Sequence, residues 1–213
     1  MESNKVRLTY FNLNGLGALS RLLLTHGNVD FEDIRLSFEE WPKVKETLDF
    51  KFLPCLEIDG VQYSESIAIN FYLAKKIGNL LGKTPEDEHA ILATLCSWSD
   101  FGAKVVTRAF GKGDQNENTE GLLSGLSKVA PGLEALYTRN GSGKYFLGDT
   151  LSLADFYLAY VFGLGFFSKD SFSDAAEVFK KHAPKLSTAI EGLIKSDTFT
   201  KLFEKALIKD VAI

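Results

Sequence analysis

The chain has 213 residues, a formal net charge of −4 and 45% hydrophobic residues, including 17 phenylalanines. This composition is typical of a globular protein with one or two domains. It argues against nucleic-acid binding, because no stretch is dense in lysine and arginine. No apolar run approaches the roughly 20 residues of a membrane helix. The N-terminus lacks the apolar core of a signal peptide, so we expect a cytoplasmic protein.

Cysteine and histidine are scattered along the chain. Cys55 and Cys96 form no C-x-x-C pair, and we expect free thiols in a reducing compartment. The histidines at positions 26, 89 and 182 do not have the spacing of metal ligands. The sequence therefore predicts neither a metal site nor a bound cofactor.

Strand and helix patterns alternate in the first 78 residues. Periodicity predicts strands at 6–11, 31–36, 55–58 and 61–64, and helices at 15–26, 39–48 and 66–77. We expect Gly27 to end the first helix in the left-handed conformation. Asp59-Gly60 indicates a hairpin turn of type I′, which needs a positive φ at both positions. The order β-α-β-α-β-β-α predicts a thioredoxin-like fold whose first two strands are parallel, since a helix connects them.

From residue 84 the pattern is helical to the end of the chain. Thr84 is predicted to cap a helix that begins at Pro85 and continues through Val106. Ser152 and Asp155 have the spacing of a capping box, which opens an aromatic-rich helix to about residue 162. Further helices are expected at 120–137, 171–181 and 186–206. We predict an α/β domain at 1–82, followed by an all-helical domain at 83–213.

Five segments resemble the glutathione transferase family, and most closely its sigma class, which includes prostaglandin D synthase. They are LTYFNLNGLG at 8–17, EEWP at 39–42, FLPCLEIDG at 52–60, SESIAINFYL at 64–73 and DTLSLADFYLAY at 149–160. The likeness spans essentially the whole chain in the family's order and spacing. It implies a homodimeric enzyme that joins the thiol of its co-substrate glutathione to small hydrophobic electrophiles, with no nucleic-acid or membrane partner.

The resemblance gives Tyr10 the catalytic role. A free thiol has a pKa near 8.5, so only a small fraction is ionised at neutral pH. A phenol O–H that donates to the sulfur stabilises the thiolate and lowers the pKa of the thiol. In an isolated sequence Tyr10 would be one more strand aromatic; the surrounding motif favours the catalytic role.

The resemblance also implies a set of glutathione contacts. Leu53-Pro54 is expected to be a cis peptide bond, with the Leu53 backbone pairing with the cysteinyl backbone of glutathione as a strand would. Ser66, at a helix N-terminus, is expected to bind the γ-glutamyl carboxylate. Glu65 is expected to meet the α-amino group. The plainer alternative is that Ser66 and Glu65 only cap the helix, and both roles can hold at once.

Trp41 resembles the tryptophan that donates its indole N–H to the glycyl end of glutathione. Asp100 resembles a residue that reaches across the family's dimer toward the glutamyl amine. The electrophile site is predicted to be lined by Phe11, Leu16, Phe101, Val105 and Tyr157, each of which could equally belong to the core.

Three positions depart from the family pattern. Asn14 stands in place of an arginine, Ala18 in place of an acid, and Phe52 in place of a lysine or glutamine, which leaves Lys51 to compensate. We expect weaker glutathione binding as a result. The alternatives are a non-catalytic, crystallin-like or ligand-binding relative, and a glutathione-dependent isomerase or peroxidase. A thiol oxidoreductase is disfavoured because residues 12–17 contain no cysteine.

Overall fold

The computed structural model describes residues 5–78, 80–164 and 170–207. The chain divides into two compact units, one of residues 1–79 and 200–213 and one of residues 80–199. The first unit holds a four-stranded sheet with helices, and the second is helical. The predicted fold class is therefore confirmed.

The sheet of the first unit has the strand order β2-β1-β3-β4. Its strands are β1 (Val6–Phe11), β2 (Glu32–Leu36), β3 (Cys55–Ile58) and β4 (Val61–Tyr63). Strands β1 and β2 are parallel, as predicted, and β3 is antiparallel to both β1 and β4. Asp59 and Gly60 have φ values of 52° and 83°, which confirms the predicted I′ pattern.

Three helices accompany this sheet: α1 (Ala18–His26), α2 (Trp41–Lys45) and α3 (Ser66–Gly78). A 3₁₀ turn at Gly15–Gly17 leads into α1. The prediction for Gly27 was wrong, because its φ is −72° and Asn28 takes the positive φ instead. A Cβ on Gly27 would lie 2.8 Å from Ile77, so this glycine allows α1 and α3 to approach closely.

The described residues that follow form α4 (Pro85–Cys96), α5 (Gly102–Ala109), α6 (Gln115–Arg139), α7 (Leu153–Leu158), α8 (Ser173–His182), α9 (Pro184–Ile194) and α10 (Asp197–Ala206). Helix α7 continues as a π-helical turn over Ala159–Leu164, and a 3₁₀ turn at Asp170–Phe172 precedes α8. The capping box of α7 at Ser152 forms as predicted. Thr84 caps α4 as predicted, and Asp87 completes a capping box there as well. Helix α6 begins five residues before its predicted start, where Asp114 accepts hydrogen bonds from two backbone N–H groups.

The predicted continuous helix from Pro85 through Val106 was wrong. A 3₁₀ turn at Ser97–Asp100 separates α4 from α5. Close packing explains the break: a Cβ on Gly125 of α6 would lie 2.8 Å from the Asp100 carbonyl, and one on Gly102 would overlap the Trp98 ring. Helical periodicity survives such a short turn, so the sequence pattern does not reveal it.

The predicted helix at 186–206 was also wrong, since it is two helices. Helix α9 ends at Ile194, and the Ser196 hydroxyl donates to the Leu193 carbonyl at 2.6 Å. The same hydroxyl accepts from the Phe199 N–H at 3.5 Å, so Ser196 caps both helix ends.

Across the described residues, no helix has both the length and the apolar character to cross a membrane. Nor do His, Cys, Asp and Glu side chains in this part of the chain gather into a group of three that would hold a metal ion.

Candidate active site at one end of the sheet

The topology of the first unit brings four separate segments to one end of the sheet. Strands β1 and β2 are parallel, so their carboxyl ends lie at the same edge. Strand β3 begins at this edge and β4 ends there, because both of these pairings are antiparallel. The segments carrying Tyr10, Trp41, Leu53-Pro54 and Glu65-Ser66 therefore all lie at this edge.

Tyr10 is the penultimate residue of β1, and its side chain is buried, with 7% of the residue exposed. Its hydroxyl oxygen accepts a hydrogen bond from the Leu16 backbone N–H at 3.0 Å. Burial raises the pKa of the phenol, while the Leu16 N–H and the charge of Arg21 act in the opposite direction. At neutral pH Tyr10 is therefore a neutral donor whose oxygen is already polarised by one hydrogen bond.

The Gly-Leu-Gly turn lies directly against Tyr10. A Cβ on Gly15 would be 2.7 Å from the Tyr10 hydroxyl, and one on Gly17 would be 2.6 Å from the Tyr10 ring. Gly15 also has a φ of 37°, which side-chain-bearing residues rarely adopt. The two glycines thus let the backbone come close enough for the Leu16 N–H to reach the phenol oxygen.

Arg21 lies on α1 with no exposed surface. Its guanidinium donates to Asp33 at 3.0 Å and to the Leu13 carbonyl at 2.8 Å. It lies 5.9 Å from the centre of the Tyr10 ring. Arg21 was not among the predicted site residues, although it is the one charged residue in the run from Leu8 to Thr25.

Trp41 belongs to an aromatic cluster beside Tyr10. Its ring meets Phe11 edge-on with 5.8 Å between centres, and Phe11 in turn lies 4.8 Å from Phe38 and 5.7 Å from Tyr10. Trp41 is partly exposed at the first residue of α2. Phe38 is 59% exposed, so the cluster presents an aromatic surface to solvent.

The Leu53-Pro54 peptide bond is cis, as predicted. The β1–β3 register pairs Thr9 with Cys55, and its continuation places Pro54 level with Tyr10. Burial, with the charges of Glu57 and Asp49, raises the pKa of the Cys55 thiol to about 11. That thiol stays protonated at neutral pH and is not a competing nucleophile.

Glu65 precedes α3 with a φ of 68°, a value that is unusual for a residue other than glycine. Ser66 is the first residue of α3, and the first turn of this helix contains no acidic residue. Further along the helix, Asn70 accepts a buried hydrogen bond from Ser20 of α1 at 2.7 Å. This hydrogen bond, whose two residues were not predicted to belong to the site, connects α3 to the helix that carries Arg21.

The three departures from the family pattern have different surroundings. Ala18 is completely buried at the start of α1, and Asn14 precedes the 3₁₀ turn. Phe52 is 64% exposed. Lys51, expected to compensate for Phe52, has its ammonium 2.7 Å from Glu46. Both partners are well exposed, so this ion pair is weak and exchangeable.

The remaining predicted residues differ in accessibility. Leu16 is 38% exposed and Phe11 is partly exposed, whereas Phe101 and Val105 are fully buried. Tyr157 is buried as well, with its hydroxyl near the Ser97 side chain. Burial raises the pKa of the Tyr157 phenol. Asp100 is exposed at the end of its 3₁₀ turn.

Comparison with known proteins covers both units. The N-terminal domain model of glutathione S-transferases matches residues 6–75, and the C-terminal domain model matches residues 99–193. The chain is 36% identical to hematopoietic prostaglandin D synthase of Gallus gallus over 71% of its own length and 74% of that protein. It is also 36% identical to glutathione S-transferase 1 of Ascaris suum, over 70% of its own length and 74% of that protein. The chain belongs to the glutathione S-transferase family.

A solved glutathione S-transferase of the hookworm Necator americanus, described as monomeric, superposes on the chain with a TM-score of 0.81. The match covers 97% of this chain and all of that one at 27% identity. The predicted family, fold and enzyme class, a glutathione transferase, are thereby confirmed.

Proposed function

We propose that this glutathione S-transferase, of sigma-class type, conjugates the thiolate of glutathione to small hydrophobic electrophiles, with Tyr10 activating the thiol. The proposal rests on the hydrogen bonding of the Tyr10 hydroxyl. Its oxygen accepts from Leu16, and in the described part of the chain it makes no other hydrogen bond. The phenol proton is therefore available to a ligand at the end of β1.

Activation follows from the protonation states. The phenol is neutral at physiological pH because burial raises its pKa. A glutathione sulfur within reach of the phenol O–H would lose its own proton to solvent and keep its negative charge through the hydrogen bond. The thiolate then attacks an electrophilic carbon, a C–S bond forms, and the leaving group departs with its electron pair.

Glutathione binding is assigned to the segments around Tyr10. The backbone N–H and C=O of Leu53 take part in no hydrogen bond within the described residues, which suits pairing with a peptide ligand. Ser66 offers its hydroxyl and free backbone N–H groups of α3 to the γ-glutamyl carboxylate. Exposed Glu65 can meet the α-amino group, and Trp41 can donate to the glycyl end.

The electrophile is proposed to bind beside the aromatic cluster. Phe11 and Leu16 have exposed surface next to Tyr10, which suits an apolar substrate. Phe101, Val105 and Tyr157 have little exposed surface to contribute. Leu16→Ala is expected to raise KM for the electrophile while leaving KM for glutathione unchanged, and an equal rise in both would contradict this assignment.

The decisive experiment compares the wild-type protein with Tyr10→Phe in conjugation of glutathione to a chlorodinitrobenzene. The variant should retain glutathione affinity within a factor of about two and lose about 10²-fold or more in kcat, because only the hydrogen bond to the charged sulfur is removed. The pH dependence of the thiolate's ultraviolet absorbance should move to higher pH in the variant. Binding without turnover in the wild type would favour a non-catalytic relative, and no binding would refute the proposal.

A second candidate is glutathione-dependent isomerisation. It is favoured by the 36% identity to a protein named prostaglandin D synthase. Isomerisation would use the same thiolate, so Tyr10→Phe should abolish that activity too. Conjugation without isomerisation by the wild type would exclude this candidate.

A further inference from the structure

The buried guanidinium of Arg21 is a costly feature of α1. Every residue from Ala18 to Leu24 is buried, and Arg21 is the one charged member of this run. A buried charge is unfavourable unless it is paired and its hydrogen bonds are satisfied. The partners of Arg21 therefore indicate what this side chain does.

Arg21 hydrogen-bonds to the backbone of the segment 11–13, which follows Tyr10 in the chain. It donates to the carbonyl of Leu13 at 2.8 Å and, more weakly, to that of Phe11 at 3.5 Å. Phe11 directly follows Tyr10, and Leu13 lies in the segment that leads to Leu16. The guanidinium thus fixes the backbone whose Leu16 N–H polarises the phenol oxygen at 3.0 Å.

The charges around Arg21 do not cancel. Asp33 of β2 accepts from Arg21 at 3.0 Å and from Arg35 at 2.7 Å, so two guanidinium groups share one carboxylate. The parallel register pairs Arg35 with Tyr10 and Asp33 with Leu8, which places this cluster on the Tyr10 face of the sheet. Asn14 and Ala18, between Tyr10 and Arg21, carry no charge. The cluster of Arg21, Arg35 and Asp33 therefore carries one positive charge in excess, and the charge of Arg21 acts on the Tyr10 phenol.

We propose that Arg21 is the positioning residue of this active site: it holds residues 11–16 around Tyr10 and supplies the positive charge that favours an anion at the phenol. The inference rests on the proposed function in assigning that anion to the glutathione sulfur. Arg21 acts through the Leu13 carbonyl and through its charge, without touching the substrate.

The test uses Arg21→Gln, Arg21→Lys and the control Arg35→Gln. The control also removes one guanidinium from Asp33, but Arg35 is partly exposed and, among the described residues, its guanidinium hydrogen-bonds to Asp33 alone. Folding of each variant is verified by circular dichroism. The phenol of Tyr10 is then titrated by ultraviolet absorbance in the absence of glutathione, as the difference from the same variant carrying Tyr10→Phe.

In Arg21→Gln the pKa of the Tyr10 phenol should rise above its wild-type value, and Arg21→Lys should restore it because the charge returns. The kcat/KM of Arg21→Gln should fall about tenfold near pH 6.5, with a loss that shrinks as the pH rises and the thiol ionises unaided. Arg35→Gln should shift the phenol pKa less than Arg21→Gln does. An unchanged phenol pKa in folded Arg21→Gln would overturn the proposal and leave Arg21 a purely structural residue.

Asp33→Asn keeps the test decisive if Arg21→Gln does not fold. Removing the carboxylate leaves both guanidinium groups uncompensated, so the phenol pKa should fall; a rise or no change would overturn the proposal. Because the phenol titration needs no glutathione, failure of the proposed function would appear separately, as absent glutathione binding with the phenol shifts intact.

Discussion

The chemistry of Tyr10 depends on residues that never touch a substrate. Gly15 and Gly17 allow the turn to lie against the ring, Leu16 provides the N–H, and Arg21 donates to the Leu13 carbonyl just before the turn. None of these contacts is strong alone, since a single hydrogen bond contributes about 0.5–1.5 kcal/mol. Together they determine where the phenol oxygen lies, and a small displacement is enough to weaken catalysis.

Gly17→Ala adds one carbon atom and tests whether catalysis depends on the position of the Tyr10 ring. The added Cβ would lie 2.6 Å from the Tyr10 ring, so the ring or the turn must move. We expect kcat to fall by about 10²-fold and the free energy of unfolding to fall by about 1–3 kcal/mol. Steady-state kinetics and urea denaturation measure the two effects.

Gly192→Ala is the matched control. Gly192 lies within α9, and a Cβ there would meet no described atom within 4 Å apart from those of its chain neighbours and its own helix backbone. This variant should keep the wild-type kcat and gain about 0.5–1 kcal/mol of stability, because alanine favours a helix over glycine. If Gly17→Ala behaved like this control, the turn would not constrain Tyr10.

At the scale of single elements, helix α7 depends on one buried carboxylate. Asp155 is 3% exposed and accepts from the Phe146 N–H, the Ser152 N–H and the Ser152 hydroxyl, all within 2.8 Å. The next N–H, that of Leu153, donates to the Leu80 carbonyl at 2.8 Å. Asp155 thus joins the start of α7 to the segment that precedes it.

The titration of Asp155 gives this element a pH dependence. Burial raises the pKa of the carboxyl from 3.8 to about 6, so the folded state holds the proton more tightly than the unfolded state. Its contribution to stability is complete below pH 3.8 and is lost as the pH rises toward 6, by on the order of 3 kcal/mol. Asp155→Asn cannot titrate, so its loss of unfolding free energy relative to wild type should be largest near pH 4 and shrink toward pH 7.

Asp87 in the capping box of α4 is the control, because its contribution to stability should change with pH in the opposite direction. Hydrogen bonding from the Lys83 N–H lowers the pKa of its carboxyl. Its contribution is present above the ordinary pKa of 3.8 and is lost as the pH falls, so the penalty of Asp87→Asn should grow with pH. Denaturation curves at several pH values compare the two variants, and parallel trends would contradict the assigned role of Asp155.

Local signals and tertiary contacts explain which elements could be predicted. Both capping boxes and the Asp59-Gly60 hairpin were predictable, because their residues act within a few positions of one another. The break at Ser97–Asp100 was not, since it depends on the approach of Gly125 from another helix. Arg21 escaped prediction for the same reason: its partners Leu13 and Asp33 are distant along the chain or in another element.

On the scale of the whole molecule, the proposed site is assembled by strand order. The pairing of β1 with β2 and β3 gathers four segments that are distant in sequence at one end of the sheet. That gathering was predictable from the β-α-β pattern and the family resemblance. The subunit arrangement does not follow from the strand order, because it depends on surface residues.

We expect the protein to form a homodimer, and its exposed apolar residues suggest where. Phe50, Phe52 and Val61 of the first unit are each more than half exposed, which is unusual for large apolar side chains and typical of an interface. Light scattering after size exclusion should give twice the chain mass of 23.6 kDa. Phe50→Ser with Phe52→Ser should give a folded monomer, whereas Phe110→Ser, at a 43% exposed residue of the second unit, should stay dimeric. A wild-type mass of one chain at all concentrations would instead place this protein with its relative described as monomeric.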